Sequence, residues 1–117
     1  MRIPEIRVPN LGQDIFNLLL KRMRSFQSLL KEGHVMGVVV ASDAAPLVAH
    51  SMTYRGSNLI SFAGTDPEGY DCEVMVNCFQ ARVTLRAIPT DTPEAKKYGF
   101  ELPSPESGGA AKPDEEA

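Results

Sequence analysis

Leu29-Leu30-Lys31-Glu32-Gly33-His34-Val35-Met36-Gly37-Val38-Val39-Val40-Ala41-Ser42 is the stretch that decides the fold, because the hydrophobic period changes inside it. Upstream of Gly33 apolar residues recur with a helical period; downstream the chain is rich in β-branched residues and follows the two-residue period of a strand. A helix ends at Gly33 and a sheet begins.

Toward the N-terminus, the helical period runs back from Glu32 to about Gln13. On a helical wheel Ile15, Leu18, Leu19, Met23, Phe26, Leu29 and Leu30 share an arc of roughly 140 degrees, the width of a helix packed on a sheet. Asp14 complements the positive end of this helix and Lys31 the negative end, and Gly33 is placed to close it in the left-handed conformation. Pro9 and Gly12 oppose a helix before residue 12, so residues 1–11 read as an N-terminal arm or a short edge strand.

Toward the C-terminus, five strands are expected: Val35 to Ser42, Leu47 to Tyr54, Asn58 to Thr65, Tyr70 to Asn77 and Ala81 to Ile88. Asp43-Ala44-Ala45-Pro46, Arg55-Gly56-Ser57 and Thr65-Asp66-Pro67-Glu68-Gly69 carry turn chemistry. Cys78-Phe79 carries none, and a hairpin, a bulge or one helical turn all fit there. Pro89, Thr92 and Pro93 end the sheet, and one helical turn fits Pro93 to Tyr98. The fold class is α+β: one N-terminal amphipathic helix packed on an antiparallel sheet of about five strands. It occupies residues 12–101 as a single domain, and residues 102–117 read as a disordered acidic tail without an apolar anchor.

The 117 residues carry a net charge of −3, from 12 Lys+Arg against 15 Asp+Glu. Glu106, Asp114, Glu115 and Glu116 against Lys112 account for all of it, so the body is neutral. A neutral body with an acidic tail lacks the basic surface that phosphate neutralisation requires, so no nucleic-acid partner is expected. The longest apolar run, Val35 to Ala41, is far short of a membrane span, and no membrane partner is expected either. Arg2, Pro4, Glu5 and Arg7 stand where a secretion signal needs an unbroken apolar segment, which points to a cytoplasmic protein.

Tyr54, the run Asn58-Leu59-Ile60-x-Phe62-x-Gly64-Thr65-Asp66-x-x-Gly69, Gln80 and Gly99-Phe100 together resemble a family of short bacterial proteins that carry a domain of unknown function. The resemblance covers roughly residues 12 to 102. Where the family pattern has a Gln-His pair and a serine, this chain has Val76, Asn77 and Phe79, and only Gln80 matches. The resemblance implies an α+β fold and no known activity.

Candidate chemistry is sparse. Cys72 and Cys78 lie on one strand about 20 Å apart at 3.3 Å per residue, too far for a disulfide, and read as reduced thiols. A hairpin with Leu47 opposite Ser42 sets His50 opposite Val39 and His34 near Arg55, which separates the two histidines and gives no metal site. Phosphate-binding glycine loops and the G-x-S-x-G elbow are absent from the sequence, and no cofactor is implied. Two charge features are more informative. Arg22 sits in the apolar arc, either with its stem on the core and its head at the rim, or held by an acceptor across an interface. A two-residue connection at 78–79 would set Asp71 opposite Arg86 and Glu73 beside Arg82 and Arg86 on a solvated sheet face.

The first two strands are apolar on both faces, with Met36, Val38, Val40 and Leu47 on one and Val35, Val39, Val48 and Met52 on the other. One helix covers only one face. A homodimer is therefore expected, with Met36, Val38, Val40 and Leu47 at the contact. The function this suggests is a non-enzymatic interaction module, an adaptor or chaperone-like protein able to take a partner segment by strand addition. The alternative is a small-molecule-binding domain or enzyme that uses His50, Tyr54 and Arg55 with the Asp66–Gly69 turn.

Overall fold

A computed structural model describes residues 11–42 and 45–103. The N-terminal arm through residue 10 and the tail from residue 104 lie outside the described residues. One helix, α1 (Leu11–Ser28), is followed by β1 (His34–Val40), β2 (Leu47–Arg55), β3 (Leu59–Thr65), β4 (Asp71–Asn77) and β5 (Val83–Pro89), then a 3-10 turn (Pro93–Lys97). The strands form one antiparallel sheet in the order β4-β3-β2-β1-β5, and α1 lies across its middle. This is the α+β fold expected. Among the described residues no helix is long and apolar enough to cross a membrane.

The helix starts at Leu11, one residue inside the expected arm, and Gly33 has the left-handed φ of +82° that its position demands. Five of the seven residues of the expected arc meet the core: Met23 is buried, and Ile15, Leu19, Phe26 and Leu30 pack against it. The most buried side is rotated toward Gly12, Phe16 and Leu20, which leaves Leu18 54% and Leu29 79% exposed. Arg22 is exposed on the solvent side, so it has no buried charge to satisfy. Opposite the helix lie Met36, Val38 and Val40 of β1, Leu47, Ala49 and Met52 of β2, and Ile60 and Phe62 of β3. The expected interface is thereby corrected. Met36, Val38, Val40 and Leu47 are all buried inside the chain's own core, where no partner can reach them.

A bulge explains how β2 presents Leu47, Ala49 and Met52 to the same side. Ala49 pairs with Gly64 and Ser51 with the adjacent Ala63, leaving His50 as the extra residue. A side chain at Gly64 would run into the Val48 carbonyl and come within 2.8 Å of the Ala49 Cα, so glycine is required there. The bulge moves Met52 and Tyr54 off the face that Val48 and His50 share, against the uninterrupted alternation expected.

β1 pairs with β5 along its whole length but with β2 only at Val38↔Ala49, Val39↔Val48 and Val40↔Leu47, two residues from the expected register. The sheet is therefore split between β1 and the later part of β2. Residues 98–103 pass through that split. The Tyr98 ring lies against Gly37 on the face away from the helix, the Glu101 N–H donates to the His50 carbonyl (2.9 Å), and Phe100 and Leu102 pack against the core. The Pro103 carbonyl then accepts a hydrogen bond from Arg24 of α1 (3.0 Å). The folded part thus extends beyond the expected boundary at 101, and Leu102 supplies an apolar anchor.

β4 and β5 occupy opposite edges of the sheet, so the expected pairing of Asp71 with Arg86 is not formed; Asp71 pairs with Thr65 and Arg86 with Gly37. The Cys78-Phe79 joint is a turn closed by Gln80 N–H to the Asn77 carbonyl (2.8 Å) and Phe79 N–H to Asn77 Oδ1 (2.9 Å). The pairing order makes β4 and β5 run in the same direction, joined by residues 78–82 alone. Five residues reach roughly 20 Å. A flat sheet would ask that link to cross four strand spacings, about 19 Å, and the length of a strand besides. The sheet consequently curls toward a barrel with an open seam.

Candidate functional site

The curl and the strap of residues 98–103 create a cleft of about 620 Å³ on the sheet face away from α1, within the usual range for small-molecule sites. Its floor is Val39 and Val48, side by side on paired strands. Pro46, Pro67 and the Tyr98 ring wall it, and His50 and Thr65 supply polar groups from β2 and β3. The 3-10 turn brings Glu94, Lys96 and Lys97 to the rim, and β5 brings Arg86.

The bulge at Ala49/Ser51 positions His50. Its Nδ1 lies 3.0 Å from the Gly99 carbonyl and its Nε2 3.2 Å from Thr65 Oγ1. A carbonyl only accepts, so Nδ1 carries the proton and donates, and in the neutral ring Nε2 accepts from the Thr65 hydroxyl. The imidazole is thus held at both nitrogens, one of them by the strap. Tyr98 depends on Gly37 for its place, since a Cβ there would lie 2.6 Å from the Tyr98 ring.

Rim charges are unequal. Arg86, Lys96 and Lys97 make no ion pair among the described residues. Of the two acids, Asp66 is turned into its own loop, where Oδ1 accepts the N–H groups of Glu68 (3.0 Å) and Tyr70 (2.9 Å). Glu94 stays exposed at the start of the 3-10 turn. Among the described residues, three cations without an ion pair therefore border the cleft against two carboxylates, Asp66 and Glu94.

The residues singled out from the sequence divide as follows. His50 and Arg86 meet in the cleft with the Asp66–Gly69 turn. Tyr54 does not, because it faces α1 and meets Phe16 edge-on at 5.3 Å between ring centroids. Arg55 lies 3.8 Å from Glu73, which also accepts the Ser61 hydroxyl, on the same face as the cleft but beyond it. Asp71 is exposed at the start of β4, and Arg22 lies on the far side of the helix. Thr65, Lys96, Lys97 and Tyr98 were not among the candidates. The alternation Tyr98-x-Phe100-x-Leu102 is the signal that an ordered, half-buried segment follows the sheet.

Cys72 and Cys78 are free thiols. Partial burial pushes the Cys72 thiol above its ordinary value, and the charges of Asp66 and Asp71 push it further the same way. Such a thiol is a poor nucleophile at neutral pH. Among the described residues no three His, Cys, Asp or Glu side chains are grouped as a metal site. Comparison with protein-family models, with curated proteins and with solved structures gives no match.

Proposed function

We propose that the chain is a small-molecule-binding domain whose ligand carries a negative charge on a compact apolar or aromatic body. The observation that carries this reading is an apolar floor of Val39 and Val48 sharing the cleft with the Tyr98 ring and with Arg86, Lys96 and Lys97, three cations that make no ion pair among the described residues. A ring or short aliphatic body would cover the floor and stack on Tyr98, while Arg86, Lys96 and Lys97 take the anion. His50, fixed at both nitrogens, shapes the end of the site and joins it to the strap. The rival reading, a homodimeric adaptor joined through Met36, Val38, Val40 and Leu47, loses its support because those side chains form the core.

Calorimetric titration with phenyl phosphate tests the proposal, with phenol as the uncharged control and inorganic phosphate as the bodiless one. Saturable binding of phenyl phosphate is expected, weaker binding of either control, and at least a tenfold loss in Arg86→Glu. Equal binding of phenol and phenyl phosphate, or an unchanged affinity in Arg86→Glu, would overturn the assignment.

A further inference from the structure

Thr84, Val39, Val48 and Thr65 form one row across the sheet, a residue each from β5, β1, β2 and β3. Val39 and Val48 are the floor of the cleft, so its two polar ends lie on either side of them. At the β5 end stand Arg86, Lys96 and Lys97, with Glu94 on the same 3-10 turn as the lysines. At the other end stand Thr65 and the Asp66–Gly69 turn. β5 and β3 are three strand spacings apart, about 14 Å in a flat sheet, so one ligand group cannot serve both ends. The β3 end has spent its donors. The Asp66 N–H donates to the Tyr70 carbonyl (3.0 Å) and the Gly69 N–H to the Asp66 carbonyl (2.9 Å). The Glu68 and Tyr70 N–H groups donate to Asp66 Oδ1, and Pro67 has no N–H. The Gly99 carbonyl fixes the His50 proton on Nδ1, so the Thr65 hydroxyl gives its own proton to Nε2. What remains there is acceptor only: the lone pairs of Thr65 Oγ1 and the Asp66 carboxylate.

We infer that the ligand carries a hydrogen-bond donor, a hydroxyl or an N–H, at the end remote from its negative charge. The inference rests on the anion-binding reading above and narrows its ligand class. The anion lies toward Arg86, Lys96 and Lys97, the body covers Val39 and Val48, and the donor meets Thr65 Oγ1. A ligand oxygen without a proton would face only lone pairs at that end and would lose its hydrogen bond to water for nothing, which is how a hydrogen-bonding site rejects a near-isostere. His50 is a positioning residue here: by accepting from Thr65 it turns the hydroxyl away from the ligand and sets the polarity of that end.

Calorimetric titration of the full chain at pH 8 with 4-hydroxyphenyl, 4-methoxyphenyl and unsubstituted phenyl phosphate is the test. The hydroxyl compound has the donor, the methoxy compound an acceptor alone. The first should bind at least threefold more tightly than phenyl phosphate, and the second no more tightly than phenyl phosphate. A long-range 1H–15N spectrum of the ligand-free His34→Gln chain, in which His50 is the sole imidazole, should show the proton on Nδ1. Methoxy binding as tight as hydroxyl binding, or a proton on Nε2, overturns this inference while leaving the anion site standing as long as phenyl phosphate binds. Failure of all three compounds to bind overturns both.

Discussion

Gly37 has no side chain because Tyr98 occupies the space one would need. A Gly37→Ala substitution forces the ring, or Ile88 behind it, to move, and overpacking of this kind costs about 1–3 kcal/mol. For a domain of this size that is a fall in Tm of several degrees, at roughly 4–8 °C per kcal/mol. The loss should shrink sharply in a Tyr98→Ala background, where the collision is gone; an equal loss in both backgrounds would place its cause elsewhere. Cys72 gives a second residue-scale outcome. With its thiol pushed up by burial and by Asp66 and Asp71, alkylation by iodoacetamide at pH 7 should be slower than that of a small free thiol. It should quicken only at a pH above the ordinary thiol range. The sign for stability follows: the protonated thiol is favoured in the folded state, so its contribution is whole at neutral pH and is lost as the pH rises through the folded value. A neutral-pH rate equal to the free thiol's would contradict the assignment.

At the scale of elements, α1 is held by Phe16, Leu20 and Met23, and not by Leu18 or Leu29. Phe16→Ala removes a fully buried ring that also meets Tyr54, and such truncations cost about 3–5 kcal/mol. Leu29→Ala should stay within about 0.5 kcal/mol, the range of surface changes. Denaturant unfolding of the two variants checks the contrast, and equal losses would return the packed face to the arc read from the sequence. The error in that arc is instructive. Leu18 and Leu29 are as apolar as Leu20, and periodicity fixes that a helix has a greasy side but not which edge of a wide stripe meets the sheet. All five strands were legible because each keeps its two-residue period and turn chemistry marks the boundaries other than the one at residues 78–82. Their order was not, since β5 crosses to the far edge through residues 78–82, which carry no turn signal. The site was half legible. His50 and Arg86 could be named as isolated polar residues, but the bulge that aims His50 depends on Gly64 fitting under the Val48 carbonyl. Tyr98, Lys96 and Lys97 join the site only because the strap returns through the split between β1 and β2, a long-range contact that a local pattern does not encode.

Across the whole molecule, that strap ties the cleft to the helix. Its Tyr98 end walls the cleft, the Gly99 carbonyl holds His50, and its Pro103 end is bound by Arg24 of α1. The curled sheet thus closes one face with a helix and the other with its own C-terminal chain, leaving a partly apolar, cation-rimmed cleft where an uncovered sheet was expected. Whether that cleft is where the protein meets its ligand is read most directly by a two-dimensional 1H–15N spectrum of the full chain titrated with phenyl phosphate. Saturable shifts should gather at Val48, His50, Thr65, Arg86 and Lys96–Tyr98, while Val74–Gln80 at the sheet edge stays still. Shifts that do not saturate, or that centre on Val74–Gln80 and leave His50 and Tyr98 unmoved, would contradict the proposed site.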